Sequence, residues 1–306
     1  MSKIGYIARY SIIIKQLRLH KYCTYQELEN HIERELNFLQ TLDDTLNVGF
    51  SKRTFERDKK EIRNIFQINI EYSASRKGYY IEENEGQRNT IMQSMEYFEV
   101  FNSLQLAQSI SPHLLLENRK PQGTENLPKL IHAIKENTQV RFRYQKFSEG
   151  QESETLIEPY ALKEFKYRWY LIGKDCKDNA IKRFALDRLF NLEITNKTFD
   201  FPENYDIQES YRHCFGIINH ENQEPQEIIL AFSPFQGKYI KTLSLHESQQ
   251  ILVDNEQELR IRLYLRITQD FVMEILSHSS NVKVLAPEVL VERIKNELQN
   301  SLNLYL

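Results

Sequence analysis

The chain has few of the residues that build disulfide frameworks, metal sites and phosphate-binding loops. Its 306 residues include three cysteines, nine glycines and one tryptophan. The cysteines are odd in number and far apart, so they form neither a disulfide framework nor a metal-ligand pattern. The glycines form no loop of the kind that cradles phosphate. We therefore expect free thiols in a reducing compartment, and neither a metal nor a cofactor.

The sequence also lacks the apolar segments that membrane-spanning and secreted proteins carry. No apolar run approaches the roughly 20 residues that a membrane-spanning helix needs. The first residues, Met1 to Tyr6, lack the apolar core of a signal peptide. We expect a cytoplasmic protein that has no contact with the membrane.

No set of side chains has the spacing of a catalytic centre. His213 and Cys214 are neighbours in the sequence, so their side chains point apart, and no third group is placed beside them. His220 lies in a polar linker, and no cluster of His, Asp and Glu has the spacing of a metal site. We expect no enzymatic activity, unless distant residues converge in the fold.

The charge of the chain is small and unevenly distributed. The net charge of −3 argues against a uniformly basic surface that coats nucleic acid. Residues 1–82 hold 14 Lys and Arg against 11 Asp and Glu, whereas the remainder holds 26 against 32. Positive charge is therefore concentrated at the N-terminal end, as expected if only that part of the chain touches DNA.

The most informative segment is a short basic helix that begins after Ser51. At 3.6 residues per turn its apolar side chains, Phe55, Ile62 and Phe66, fall on one side. The cationic side chains Lys52, Arg53, Arg57 and Lys60 fall on the other. Ser51 is a good N-cap for this helix, and Thr54 lies in its first turn. Arginine forks match phosphate oxygens and the guanine edge, so these residues are candidates for DNA binding, although a solvated basic surface helix has the same pattern.

The residues around this helix predict a winged helix-turn-helix. Ile68 to Tyr72 and Tyr79 to Ile81 alternate as strands do, and Arg76 and Lys77 lie at the tip of the turn between them. Upstream, residues 4–20 have helical spacing, and Thr24 to Glu27 form a capping box that begins a second helix through about Leu39. We expect Arg76 and Lys77 to contact phosphates beside the groove.

Two parts of this segment resemble the helix-turn-helix of the DeoR-like bacterial regulators. Ser51 to Asp58 and Gly78 to Ile81 carry the resemblance. The segment from Gln40 to Phe50 departs from it, because the motif usually has a tight turn at this point.

The rest of the chain divides into a linker and two further domains. A helical pattern predicts a linker at residues 83–123. Residues 124–215 contain five short strands with polar turns, which is typical of a small bent barrel. Residues 224–306 follow the βαββαβ order of a ferredoxin-like domain, with one helix added. The predicted fold is therefore an α+β chain of several domains, with its winged helix-turn-helix at residues 1–82.

The five-stranded segment resembles the WYL domain. Arg168 to Gly173 contains the Trp-Tyr-Leu triplet, and Lys182 to Leu189, Val140 to Tyr144 and the Glu158–Pro159 pair stand where that family has them. The resemblance implies an Sm-like barrel that follows a winged helix-turn-helix in bacterial regulators. It also implies a C-terminal ferredoxin-like extension that is used for dimer contacts.

The WYL resemblance further implies a site for nucleic-acid or nucleotide-like effectors. The matching positions are Tyr144, Trp169, Tyr170, Lys182 and Arg188. The family has a basic residue where this chain has Ala185, and Arg183 stands beside it instead. Two other interpretations stay open: the aromatic residues are barrel core, and Arg188 forms an ion pair with Asp187 or a nearby carboxylate.

Together these features predict a cytoplasmic transcriptional regulator that binds an operator in double-stranded DNA. A homodimer would contact two half-sites, and the barrel would bind single-stranded nucleic acid or a nucleotide. An alternative is a module that binds RNA or single-stranded nucleic acid and uses its N-terminal helices for protein contacts. A third possibility is an interaction scaffold that binds neither.

Overall fold

The computed structural model describes residues 3–42, 49–82, 123–147 and 152–306. The chain divides into two compact units, residues 1–116 and 117–306. The predicted linker helix lies outside the described residues, apart from Gly123 at its end.

The first unit consists of three helices followed by an antiparallel hairpin. The elements are α1 (Lys3–Leu19), α2 (Tyr25–Leu42), α3 (Lys52–Phe66), β1 (Asn69–Ser73) and β2 (Gly78–Glu82). Cys23, between α1 and α2, pairs with Tyr79 of β2 through two backbone hydrogen bonds of 2.9 and 2.7 Å. The hairpin is therefore joined to the connection between the first two helices.

The start of α2 follows the prediction, whereas its end does not. The backbone N–H of Thr24 donates to the Glu27 carboxylate (2.8 Å), and the N–H of Glu27 donates to Thr24 Oγ1 (3.3 Å), which confirms the capping box. The Thr24 N–H and the Thr24 hydroxyl, which donates to the same carboxylate at 2.9 Å, lower the pKa of Glu27. The helix continues to Leu42, so the prediction that it ends at about Leu39 is wrong by three residues. Residues 43–48 lie outside the described residues.

Apolar side chains from all three helices form the core of the first unit. The fully buried members are Ile13, Ile14, Leu28, Ile32, Phe55 and Ile62. Each such side chain stabilises the fold by about 1.5–3 kcal/mol. Because Phe55 and Ile62 both belong to α3, the apolar side of that helix is fixed inward and its cationic side faces outward.

The second unit begins with a helix and a five-stranded antiparallel sheet. The elements are α4 (Leu127–Lys135), β3 (Thr138–Gln145), β4 (Glu152–Phe165), β5 (Arg168–Asp175), β6 (Ile181–Ala185) and β7 (Leu189–Thr198). The strand order is β6-β5-β4-β3-β7, so the five predicted strands are present and β6 and β7 are the two edges.

This sheet is strongly curled. In a flat sheet, edges separated by four strand spacings would lie about 19 Å apart. The chain from Ala185 to Leu189 spans at most about 15 Å, because only a three-residue turn (residues 186–188) joins the edges. Phe184 of β6 contacts Tyr144 of β3 across the curl, with ring centroids 5.0 Å apart. No pairing between β6 and β7 is present among the described strands, so a closed Sm-like barrel stays a prediction.

The C-terminal part of the second unit has the predicted βαββαβ order. Its elements are β8 (Gln226–Phe232), α6 (Pro234–Thr242), β9 (Gln250–Asp254), β10 (Leu259–Leu265), α7 (Gln269–Ser277), β11 (Val282–Ala286) and α8 (Glu288–Asn303), and a short helix, α5 (Ile207–Tyr211), precedes them. The antiparallel strand order is β11-β8-β10-β9. The fold is therefore mixed α+β, as predicted.

Residues after α5 join the two sheets of the second unit. Phe215 lies between Phe165 of β4 and Phe271 of α7, at centroid distances of 5.7 and 5.4 Å. Lys166 forms a 2.7 Å ion pair with Glu274 of α7. These contacts hold the curled sheet against the C-terminal domain.

Two further findings concern the described residues only. None of their helices combines the length and the apolarity needed to cross a membrane. The three cysteines are free thiols, and no cluster of three potential metal ligands occurs among the described residues.

Candidate nucleic-acid interface

The N-terminus of α3 is capped as the sequence predicts. Ser51 has extended backbone geometry, and its Oγ accepts a hydrogen bond from the N–H of Thr54 at 3.2 Å. The two hydroxyl oxygens are also 2.8 Å apart. Ser51 and Thr54, both candidate DNA contacts, therefore first serve to order the opening turn of the helix.

A buried ion pair, which the sequence analysis missed, attaches α3 to α1. Arg9 Nε and Nη2 donate to the two carboxylate oxygens of Asp58 at 2.5 and 2.8 Å, and Nη1 donates to the Gly49 carbonyl at 3.1 Å. The side chains of Arg9 and Asp58 are only 1% and 0% exposed. A bidentate pair of this kind fixes the angle of α3 about its own axis.

The outward side of α3 is predominantly cationic. Its exposed basic residues are Lys52, Arg53, Arg57, Lys60 and Arg63, of which Arg63 was not among the predicted contacts. Within the described part of the chain, only Arg57 of these five forms an ion pair or a ring contact. The exposed acid on the helix, Glu56, lies 3.3 Å from Lys59. The helix thus presents several uncompensated cations to solvent.

Arg57 is partly held in place but remains available. Its side chain is 57% exposed, and its Nε lies 3.8 Å from Asp58 Oδ1. The guanidinium also lies 5.5 Å from the centre of the Tyr6 ring. Both contacts are long, so they orient the guanidinium without consuming its donors.

The tip of the hairpin also exposes its cations. Residues 74–77 are all exposed, and the N–H of Arg76 donates to Ser73 Oγ (3.3 Å) within the turn. Lys77 has a φ of 52°, in the left-handed region that tight turns use. The Arg76 guanidinium lies 5.9 Å from the Tyr22 ring. The predicted wing residues are therefore accessible to a ligand.

Only part of the predicted effector site comes together in the second unit. Tyr144 is buried, which raises the pKa of its hydroxyl, and that oxygen accepts a hydrogen bond from the N–H of Ala185 at 3.2 Å. The Arg188 guanidinium lies 5.0 Å from the Tyr144 ring and 4.3 Å from the Phe147 ring. Phe147, which the sequence analysis did not single out, is 74% exposed.

Arg188 is left without a hydrogen-bond partner at one buried atom. Its Nε is buried and has no partner among the described residues, and the same holds for Oδ1 of Asp187. The other oxygen of Asp187 lies 3.8 Å from Arg168. Arg188 forms no ion pair with Asp187 or with another carboxylate among the described residues, so the alternative prediction of such a pair is wrong for the described structure. Arg188 and the Phe147 ring together form a cation beside an open aromatic surface.

The other candidate effector residues have different surroundings. Trp169 packs against the core cluster that contains Leu171, which favours the interpretation of Trp169 as core. Tyr170 is half-buried on the same strand. Lys182 forms 2.6 Å ion pairs with Asp175 and Asp178.

Arg183 is committed to the segment that follows the curled sheet. Its Nε donates to the Tyr211 hydroxyl (2.8 Å), and its Nη2 donates to the Asn219 carbonyl (2.9 Å). Neither Lys182 nor Arg183 therefore joins Tyr144 and Arg188. The partners of Lys182 and Arg183 could not be identified from β-strand alternation alone.

Two domain models match the second unit. Residues 125–194 match the WYL domain, and residues 224–302 match the WCX domain. No curated protein matches the chain.

Two solved structures resemble the chain remotely. One is proteasome accessory factor B/C (PafBC) of Arthrobacter aurescens, at 19% identity and a TM-score of 0.33, over 96% of this chain and 46% of that one. The chain thus spans less than half the length of the PafBC chain. The other is a CRISPR Cas-related protein, at 11% identity and a TM-score of 0.39, over 97% and 92% of the two chains. The domain matches confirm the WYL resemblance found in the sequence: the chain contains a WYL domain followed by a WCX domain.

Proposed function

We propose that this chain is a DNA-binding transcriptional regulator whose WYL domain senses a nucleic-acid or nucleotide-like effector. The observation that carries the proposal is the exposed cationic side of α3, which has few partners among the described residues. Three helices followed by a hairpin with a basic tip have the order of a DeoR-like winged helix-turn-helix. In such a domain the third helix enters the major groove.

The dimensions and chemistry of α3 suit this role. A helix is about 10–12 Å in diameter and the major groove is about 12 Å wide. Arg53 and Arg57 lie one turn apart, so both guanidiniums can contact base edges or phosphates on one side of the helix. Arg76 and Lys77 at the hairpin tip would contact neighbouring phosphates, which position a protein without specifying sequence.

The same proposal includes a homodimer in the cytoplasm. Because the net charge is −3, bulk attraction to DNA is weak, and a second set of contacts from a partner copy would supply affinity. Exposed apolar side chains on and after α8, Leu298, Leu302, Leu304 and Tyr305, support the WCX domain as the place of that contact.

Effector binding is assigned to the surface formed by Arg188, Tyr144 and Phe147. A base would stack on the exposed Phe147 ring, and the guanidinium of Arg188 would receive the anionic group. The curled sheet would act as a closed Sm-like barrel in this role. The proposal assigns no catalytic step to the chain.

The same surface favours a second candidate function. In that case the chain is a module for RNA or single-stranded nucleic acid, and the N-terminal helices contact proteins. The two candidates differ in substrate preference: the regulator binds duplex more tightly than single strand, and the module does the reverse. Both affinities must be compared at one salt concentration, because phosphate contacts make binding salt-dependent.

The regulator proposal is tested with duplexes that the full-length chain selects from a random-sequence pool. Replacing Arg53→Ala should weaken binding to the selected duplex by about 1–3 kcal/mol, since a bidentate base contact is worth that much. Lys238→Ala, which removes an exposed cation from α6, is the matched control and should have no effect. Equal affinities for wild type and the Arg53 variant in a gel-shift titration would remove α3 from the interface.

A further inference from the structure

A cleft in the second unit lies between the curled sheet and the C-terminal domain, beside the contacts that join them. Its volume is about 640 Å³, within the range of small-molecule sites. Side chains from β4, β5, α5 and the loop between α6 and β9 line it. Ile172 of β5 lines the cleft, whereas its neighbour Leu171 packs in the core on the opposite face of the sheet. The cleft is therefore separate from the surface around Arg188.

The floor of the cleft is apolar. Ile172, Tyr211 and Cys214 are all buried and form a cluster of their own, against which Ala161 and Ile207 pack. Burial also raises the pKa of the Cys214 thiol, so this residue is a neutral, apolar part of the floor. Such a floor favours a ligand with an apolar body.

One cation in the cleft, Lys163, forms no ion pair among the described residues. The Lys163 ammonium lies 5.4 Å from the centre of the Tyr211 ring. It forms no hydrogen bond and no ion pair with any residue in the described ranges. Burial lowers the pKa of Lys163, because the surroundings solvate the ammonium poorly. An anionic group in the cleft would supply the hydrogen-bond acceptors that the protein does not.

A histidine in the same lining has a defined tautomer. The backbone N–H of Ser248 donates to His246 Nδ1 at 3.1 Å, so the neutral ring carries its proton on Nε2. Burial lowers the pKa of His246, which favours that neutral form. The lining thus holds one cation that forms no ion pair among the described residues, and one neutral ring.

The remaining charges limit how much negative charge the cleft accepts. Asp206 caps α5 through the N–H of Gln208 (2.8 Å), and Glu209 pairs with Arg212 (3.2 Å). Glu247 is exposed and adds a further carboxylate to the lining. Three acids thus stand against two cations, which disfavours a polyphosphate or a nucleic-acid backbone.

We propose that this cleft binds a small organic monoanion whose carboxylate pairs with Lys163 and whose apolar body covers Ile172 and Tyr211. The site contacts both the WYL sheet and the α6–β9 loop of the WCX domain, so a bound ligand links the two. This site is independent of the DNA contacts on α3 and of the effector surface at Arg188. The chain would therefore have a second ligand-binding site.

The test is calorimetric titration of the full-length protein with phenylacetate, its neutral analogue phenylacetamide, and inorganic triphosphate. Phenylacetate should bind wild type more tightly than either of the other probes. Lys163→Met, which keeps most of the length of the side chain but removes its charge, should weaken phenylacetate binding roughly tenfold or more, as expected for a charge-assisted hydrogen bond. Lys238→Met, outside the cleft, should leave the affinity unchanged.

A second variant guards against a folding defect at position 163. Glu247→Gln changes an exposed position and removes one rim carboxylate, so it should strengthen phenylacetate binding severalfold. The proposal is overturned if phenylacetate does not bind wild type, if it binds the Lys163 variant equally, or if the Glu247 variant binds it no better. Triphosphate binding tighter than phenylacetate would also overturn the assignment to a monoanion. None of these results depends on DNA binding, so the proposed regulator function is tested separately.

Discussion

At the scale of single residues, the Arg9–Asp58 pair matters most for the proposed interface. Asp58 lies three residues after Phe55 and four before Ile62, on the packed side of α3. Its carboxylate can stay buried only because Arg9 neutralises it with two hydrogen bonds. Removing one partner leaves the other charge buried without a counter-charge. This lowers the free energy of unfolding by more than the intact pair contributes to it.

We therefore predict that Asp58→Asn destabilises the first unit by about 3–5 kcal/mol. The double variant Arg9→Met/Asp58→Leu should be closer to wild type, because it leaves no unpaired charge. Amide hydrogen exchange of α3 in the full-length chain measures both. Equal protection of α3 in wild type and the Asp58→Asn variant would show that the pair does not hold the helix.

The residues that sequence could assign are those whose partners are close in the chain. The Ser51 cap and the Thr24–Glu27 box each span three residues, so sequence spacing alone identifies them. The Arg9–Asp58 pair spans 49 residues, and only the fold brings its members together. An aspartate on the apolar side of a predicted helix was nevertheless a signal that a buried cation must lie opposite it.

At the scale of elements, α3 and the hairpin should make different contributions to DNA binding. Replacing the tip residues with Arg76→Gln and Lys77→Asn removes two cations, and Asn tolerates the left-handed backbone of position 77. We predict a shallower salt dependence, by about 0.9 in log–log slope for each phosphate that the variant no longer neutralises, with unchanged sequence preference. Titrations of selected and scrambled duplexes at several salt concentrations measure both. A changed sequence preference with an unchanged slope would contradict this division of roles.

The turn that carries Arg188 depends on a glycine. Gly123 has a φ of 78°, and a Cβ there would lie 2.1 Å from the Leu186 carbonyl oxygen. We predict that Gly123→Ala destabilises the second unit by at least about 1 kcal/mol and weakens effector binding, because the 186–188 turn must move. Gly49→Ala is the matched control, since a Cβ at Gly49 meets nothing within 4 Å. Urea unfolding compares the two, and equal midpoints would refute the packing argument.

Element types were predictable, whereas the arrangement of elements was only partly so. Alternation of side chains predicted the five strands of the curled sheet, because one face of each strand is buried in the core. The curl itself follows from the short connection between Ala185 and Leu189 and from the strand order, which the sequence does not contain. The WYL resemblance implied one site for Lys182, Arg183 and Arg188, although the partners of Lys182 and Arg183 lie elsewhere.

At the scale of the whole molecule, the order of the parts was the most reliable sequence signal. The WYL and WCX matches occupy the segments in which the sequence predicts five strands and a βαββαβ domain. The net charge and the composition argue against a uniformly basic protein that coats DNA, but they identify neither an operator nor an effector. DNA binding in the proposed function therefore depends on a few placed side chains, chiefly those on the outer side of α3.

Site-specific photo-cross-linking tests that dependence most directly. The full-length protein would carry a photoreactive amino acid in place of Lys60 on α3 or, as a control, in place of the exposed Leu243 after α6, each mixed with a selected duplex. We predict cross-links from position 60 to bases within the selected site and none from position 243. Cross-links from position 243 with none from position 60 would contradict the claim that the cationic side of α3 enters the groove.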